Sequence, residues 1–600
     1  MSTNISKHHR EDLLNKIQQI RTHIASSPQD QNTGNLLQYL DELTKDVKGK
    51  KYGLVFEQHR ERIDVTLETH VPVLTKDKNL FIDNGGEMNF LIEGDNLAAL
   101  KLLEKTHKGK IDLIYIDPPY NRGTNKKNDF VYSDDFVDKT DSFRHSKWLS
   151  YMSERLQLAK ELLAKDGFIV ISIDDVELFQ LKLLCDDIFY PNNFLGAITL
   201  INNLKGRSDD AFFATCNEYM LIYAREAGNV IIRPSEIDTE EIDKDYQYCD
   251  VKSYFKPIGF RKTGKGWRRE ERPYMYYPVL YKNGVFSSIT DEEFKQIYDE
   301  ETGTFDDSYV DSLIKKYTEH GYKCFLPHDE KGQKGRWRWG FYDKFRKYYD
   351  TELCINQAET LCTKMRATLE DGSIRGKMSK TTWYKAEYDT GVSEKQLTKM
   401  FGNKVFDNPK SIYHIIDVLN LCTKKSAIVL DFFAGSGTTG HAVLKLNAED
   451  GGHRKFILCT NNENSICRDV TYQRLKTVIT GKRNDGSDYS EKYDASLKYY
   501  KIDFVPISDK FYYEYADELL HHIRELVELE NGINFNGNSE IAIVLTDDEM
   551  ENFVANYSDK TKVLYRGHNV LMTDKQEDFL KSHGIRVNVI PDYYYKELNK

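Results

Sequence analysis

The spacing of apolar residues changes several times along the chain. Leu13, Ile17, Ile20 and Ile24 fall on one helical stripe, and Leu36, Leu37, Leu40 and Leu43 on a second. Ser26-Ser27-Pro28 breaks between them. From about residue 88, short apolar runs alternate with helical patterns. Strands are predicted at 90–92, 111–116, 168–173, 197–201 and 219–223, and helices at 96–106 and 147–165. Continuous apolar runs fit strands buried on both faces of a parallel sheet, and strands alternating with helices predict a doubly wound α/β fold. The rhythm stops near residue 230. It resumes near 401 with a helix at 411–422, a strand at 427–430, a helix at 438–446 and a strand at 456–458. The stretch 484–496 is polar, rich in Asp, Ser and Gly, and reads as a linker. Beyond it, Leu519, Leu520, Ile523, Leu526 and Val527 mark a helix, and strands are expected at 541–545 and 585–590. The chain thus divides into a helical N-terminal element (1–75), two parts of one sheet domain (76–229 and 401–483), an inserted module (230–400), and a linker with a small C-terminal α/β domain (484–600).

Composition narrows the class. The 600 residues are 40% hydrophobic and 30% charged, and no run approaches the roughly 18 apolar residues that span a bilayer. Residues 1–10 are polar and lack a signal-peptide core. Nine cysteines without a CxxC pair suit reduced thiols in the cytoplasm rather than a disulfide frame or a zinc site, and no metal is expected. The net charge of −11 is unfavourable for nucleic acid unless basic residues gather on one face.

Two strand ends carry the candidate chemistry. Asp117-Pro118-Pro119-Tyr120 closes the run at 111–116, and Asp431-Phe432-Phe433-Ala434-Gly435-Ser436-Gly437-Thr438 closes the run at 427–430. In a doubly wound sheet the two can meet at the topological switch point, where ligands bind. The Asp117 carboxylate and the Pro118 carbonyl could accept the two hydrogens of an exocyclic amino group, and Tyr120 could stack on a base turned out of its helix. Successive prolines hold the loop stiff. The second loop matches GxGxxG, which by itself also describes dinucleotide sites. Asp431, four residues before Gly435, tips the balance, because a carboxylate there can accept from a cationic α-amino group, which S-adenosylmethionine carries and NAD does not. No GK[ST] follows the glycines, so the loop is not an ATPase phosphate loop. Asn461 and Glu463, after the next strand, are placed to take ribose hydroxyls.

The pair of loops resembles amino-group DNA methyltransferases that use S-adenosylmethionine. The catalytic motif precedes the cofactor motif, a circularly permuted order similar to the beta class. Residues 51–57 and 498–503 also resemble recurring segments of type III modification subunits, and the likeness covers about residues 50–505. It implies adenine N6 as acceptor, since Asp rather than Ser opens the first loop. Lys410 and Ser411, in Phe406-Asp407-Asn408-Pro409-Lys410-Ser411, match a motif that holds the cofactor's carboxylate; Asp95 is implied to touch the cofactor's adenine, with helix N-capping as its other role. The type III likeness implies a homodimer acting on double-stranded DNA and joined by an ATP-dependent restriction subunit. Asn217 stands where the family pattern has His. Other readings are a solitary methyltransferase, an N4-cytosine enzyme, an RNA N6-adenine methylase, a dinucleotide oxidoreductase and a non-catalytic DNA-binding specificity subunit.

The inserted module interleaves basic and aromatic residues. Lys265, Trp267, Arg268, Arg269 and Arg272 lie in one stretch, and Arg336-Trp337-Arg338-Trp339 in another. Such mixing suits contact with a phosphate backbone and bases, and assigns the module to target recognition.

Overall fold

The computed structural model describes residues 5–26, 33–48, 54, 56–123, 130–132, 135–206, 212–234, 244–369, 375–507 and 512–590. Ser27 and Pro28, the expected break between the first two helices, lie outside them. One compact unit comprises Met1–Arg233 and Lys380–Lys600, the other Pro234–Ser379.

The first unit is built on ten strands: β1 His70–Lys76, β2 Glu87–Glu93, β3 Ile111–Ile116, β4 Leu163–Ile173, β5 Phe194–Ile201, β6 Asn217–Ala224, β7 Thr382–Tyr384, β8 Ile428–Asp431, β9 Lys455–Thr460 and β10 Ala495–Pro506. Their order across the sheet is β1-β10-β2-β9-β8-β3-β4-β6-β5-β7. Neighbours are parallel except where β1 meets β10 and where β6 lies between β4 and β5. After helices α1 (Ile5–Ser26), α2 (Thr33–Lys48) and α3 (Arg62–Thr69), helices α4 (Asn96–His107), α5 (Arg144–Leu162) and α8 (Tyr512–Asn531) contribute Leu100, Leu103, Met152, Leu156, Ile523 and Val527 to the core on one face. Helices α6 (Ile412–Cys422) and α7 (Thr438–Asp450) contribute Ile415, Leu419, Val443 and Leu446 to the core on the other. Along β3, Ile114 and Ile116 face the first core and Leu113 and Tyr115 the second, as strand alternation requires. This is the doubly wound sheet expected from the apolar runs.

The sequence divisions differ from the structure at three places. Strand β1, His70–Lys76, lies across the end of the stretch assigned to a helical N-terminal element (1–75). Strand β7 carries the sheet unit back to Lys380, so the inserted unit closes before 400. Strand β10 occupies what was read as the end of a linker and the start of a separate domain. Its side chains alternate between the two cores, Leu497 and Tyr499 to one and Tyr500 to the other. Lys498, buried, pairs with buried Glu528 of α8 at 2.8 Å. The C-terminal segment therefore completes the main sheet before it builds its own three-stranded parallel sheet from Ile541–Val544, Val563–Gly567 and Arg586–Ile590.

The inserted unit contains antiparallel sheets around an aromatic core. Phe260 stacks on Trp337 at 4.9 Å, and Phe294 on Phe341 at 3.9 Å.

Candidate active site

Strands β3 and β8 are adjacent, with Leu113 opposite Val429 and Ile114 opposite Leu430. From this point the chain runs β8 to β9 in one direction across the sheet and β3 to β4 in the other. The loops beginning at Asp117 and Asp431 thus share the switch point, although 314 residues separate them.

Pro118 is buried, and the Pro119 carbonyl accepts the Trp148 indole N–H at 2.7 Å, which pins the loop. Asp117 Oδ1 is buried and makes no hydrogen bond, and it lies 3.3 Å from Lys410 Nζ. Lys410 Nζ donates to Tyr120 Oη at 2.5 Å and to Glu218 Oε2 at 2.6 Å. Tyr120 also donates to Glu218 Oε2 at 3.3 Å. Burial pushes the Asp117 carboxyl above its ordinary range, Lys410 opposes this, and Glu218 reinforces it. Burial pushes the same way at Glu218, but the Lys410 ammonium holds it below its usual value. Tyr120 is held neutral by burial and the two carboxylates. Glu218 escapes sequence reading because a lone acid at the start of a strand looks solvated.

A cavity of ≈ 430 Å³ opens beside this loop. Pro119, Phe432 and Phe433 line it with Gly94, Asp95 and Asn96 after β2, and with Thr460, Asn461 and Glu463 after β9. Asp95 caps α4 by accepting from Leu97 N and Ala98 N at 2.8 and 3.2 Å, so its capping role is realised at the cavity wall. The far wall is Glu61, Arg62 and Tyr151. Behind it, fully buried Arg155 donates to both Glu61 oxygens at 2.5 and 3.1 Å, and to Asn96 Oδ1 at 2.6 Å. Its guanidinium lies 3.6 Å over the Tyr151 ring. The carboxylates, amide and aromatic rings match the polar and apolar parts of a nucleoside-sized ligand such as S-adenosylmethionine.

Several expected ligands turn inward instead. Asp431 is buried; its oxygens accept from Phe433 N at 2.9 Å and Thr439 Oγ1 at 2.5 Å, and burial pushes its carboxyl up to about 7. It shapes the loop from within. Ser436 and Thr438 are buried against Arg474, which donates to their hydroxyls at 3.2 and 2.8 Å. Gly437 has φ +75°, and a Cβ there would meet Thr471 Cγ2 at 3.1 Å, so the turn into α7 requires glycine. Gly435, at φ +48°, is likewise left-handed. Ser411 caps α6 through Tyr413 N and donates to Glu387 O at 2.7 Å. The three donors of Lys410 face Glu218, Tyr120 and Asp117, on the catalytic side. Helix capping and loop closure use the same residue types as ligand binding, so the motif alone does not separate them.

In the inserted unit the basic residues also divide. Arg269 is buried and forms a fork with Asp307 at 2.6 and 2.9 Å; Arg336 donates to Gly266 O at 2.6 Å. Both hold their own fold together. Lys265, Arg268, Arg272 and Arg338 are exposed, and Trp267 is half-buried.

A DNA methylase family model, for N6 and N4 methylases, matches residues 111–472. The EcoPI Mod subunit of a type III restriction-modification enzyme, from Escherichia phage P1, is 34% identical over 65% of this chain and 60% of its own length. The type II methyltransferase M.KpnI of Klebsiella pneumoniae is 32% identical over 69% of this chain and 90% of its own. The StyLTI Mod subunit of Salmonella typhimurium is 30% identical over 68% and 59%. This chain thus spans about 60% of the type III relatives it matches.

Proposed function

The chain belongs to the N6/N4 DNA methylase family, and from that premise we propose that it methylates N6 of an adenine turned out of duplex DNA, as the modification subunit of a type III system. The observation that carries this reading is the shared position of two sites: Pro119 belongs to the Asp117–Tyr120 loop and also lines the cavity under Phe432 and Phe433. S-adenosylmethionine, held there by Asp95, Asn461, Glu463 and the Phe432–Phe433 loop, supplies an electrophilic methyl group. Asp117 Oδ1, buried and without a hydrogen bond, accepts an N–H of the target amino group. Its raised proton affinity fits it to take the proton that nitrogen must lose. Tyr120, neutral and anchored by Lys410, presents its ring to the base. Positioning and fixed charges then lower the barrier without a covalent enzyme intermediate.

A second reading, a methyltransferase that works alone rather than joined to an ATP-dependent restriction subunit, is favoured by the 90% coverage of M.KpnI, a type II methyltransferase. One experiment addresses both. Purified chain, unmethylated plasmid and S-adenosylmethionine, without ATP, should yield N6-methyladenine in a nucleoside digest. With ATP and magnesium the plasmid should stay supercoiled. N4-methylcytosine would overturn the adenine assignment, and site-dependent cleavage would overturn the separate restriction subunit. Co-purification with an ATP-dependent subunit separates type III from type II.

Target recognition is assigned to the exposed part of the inserted unit's basic cluster. Arg268→Ala with Arg272→Ala should weaken DNA binding at every sequence and lower the log–log salt slope by about 0.9 per lost phosphate contact. Fluorescence anisotropy across a salt series measures it, and an unchanged slope would remove these two residues from the interface.

A further inference from the structure

Four polar groups from three parts of the sheet unit meet at the catalytic loop. Glu218 stands at the start of β6, Lys410 just before α6, and Asp117 and Tyr120 after β3. Glu218 is 6% exposed, and its Oε1 is buried without a hydrogen bond. Burial of a carboxylate is costly unless it is paired, and the partner here is Lys410 Nζ at 2.6 Å. The same ammonium is 3.3 Å from Asp117 Oδ1. One cation therefore stands between two carboxylates, closer to the one that has no place in the family's catalytic loop.

We propose that Glu218 is a positioning residue for methyl transfer: it draws the Lys410 ammonium to itself, so that Lys410 anchors the Tyr120 hydroxyl while the Asp117 carboxylate stays free to accept the amino group of the base. This rests on the methyltransferase reading above. Without the Glu218 charge, the ammonium has one carboxylate left to pair with. It would close on Asp117, neutralise the acceptor and release Tyr120, which loses Glu218 as well.

The surrounding groups leave this balance to the three charged residues. Arg122 also reaches this cluster, its guanidinium 5.3 Å over the Tyr120 ring, but Arg122 Nε donates to Asp174 Oδ2 at 2.6 Å, so its charge is matched outside the Lys410 pairing. Tyr115 of β3 shares its hydroxyl with Ser172 and His414 at 2.9 and 3.0 Å and is held neutral by burial. Burial lowers His414 to about 3, so it carries no charge at neutral pH. Lys410 stays protonated despite burial, because Asp117 and Glu218 hold its pKa above the usual value. Burial pushes the Asp431 carboxyl, at the end of β8, up to about 7 and the Asp117 charge adds to this, but its oxygens accept from Thr439 Oγ1 and Phe433 N and make no contact with Lys410. Removing Glu218 takes away an influence that raises Asp117 and leaves Lys410 to lower it, so Asp117 should lose its proton at lower pH.

The test compares wild type, Glu218→Gln and Glu218→Asp in single-turnover methylation from acid to alkaline pH, with cofactor affinity by titration calorimetry. Melting curves for Glu218→Gln, Lys410→Met and the double variant complete it. Glu218→Gln should lower the plateau rate roughly ten- to hundredfold and move the limb due to Asp117 to lower pH, while S-adenosylmethionine affinity changes by less than about threefold. Glu218→Asp should restore part of the rate. The double variant should melt above Lys410→Met, because one of the two carboxylates stranded by loss of the ammonium, the buried Glu218, is gone while only Asp117 remains. A plateau within about twofold of wild type with an unmoved limb, or a rate loss that only follows melting temperature, would overturn the proposal. An additive melting cycle would overturn the pairing whatever the activity. If wild type itself transfers no methyl group to DNA, the methyltransferase reading fails, and the melting cycle still decides the pairing.

Discussion

Asp117→Ala protein is expected to bind S-adenosylmethionine normally and to transfer almost no methyl group. The expected loss in single-turnover rate is about 10²–10³-fold or more, the scale seen when a preorganised polar group facing a reacting centre is removed. Asp117 does not line the cofactor cavity, which is formed by Pro119, Phe432, Phe433 and their neighbours, so calorimetric affinity should stay within roughly threefold. Stability should not suffer either. The Asp117 carboxyl is held above its ordinary range, chiefly by burial, so its ionised form is a burden on the folded state at neutral pH. Its removal leaves Lys410 and Glu218 as a balanced pair at 2.6 Å. Loss of cofactor binding together with a lower melting temperature would make Asp117 a structural residue.

Arg155→Ala should act oppositely, breaking the cofactor wall while leaving the catalytic loop intact. The buried guanidinium holds Glu61 and Asn96, which line the cavity, stacks on Tyr151, and lies 3.8 Å from Asp95. Alanine would strand Glu61, whose carboxyl burial already pushes upward and Arg155 alone pulls back. Stranding one partner of a buried pair costs about 3–5 kcal/mol. Cofactor dissociation constants should rise by more than about tenfold, equivalent to ~1.4 kcal/mol. Lysine should rescue poorly, because one ammonium cannot reproduce a fork that reaches both Glu61 oxygens and Asn96. Calorimetry and melting on the same samples check this, and unchanged affinity would show that the cavity is not the cofactor site.

The sheet and its two functional loops were legible because buried parallel strands leave continuous apolar runs, and each loop follows such a run directly. Arg155 was not legible. It sits in Arg144–Leu162 among Ser, Glu, Gln and Lys, where a helical pattern assigns it to solvent. Glu218 and Lys410 are distant in sequence, and nothing in either local string marks the pair. The sequence offers the hydroxyls of Ser436 and Thr438 as ligands because GxGxxG does not say which way they turn. Arg474, buried behind them, decides that. The start of strand β10 is hidden in the sequence because the polar stretch before it runs directly up to Ala495, while its lysines and tyrosines obscure a segment buried on both faces.

The place of β10 also sets a timetable. Strand β2, which carries the Gly94–Asp95 wall, pairs with a strand that the ribosome makes some 400 residues later. At about 5–20 residues per second, one edge of β2 stays unpaired in the nascent chain for roughly 20–80 s. During that interval its neighbour on the other side, β9, is also unmade for most of the time. An unpaired apolar strand is a template for wrong pairing, so slower translation or a stop before residue 495 should divert this protein into aggregates that chaperones must hold.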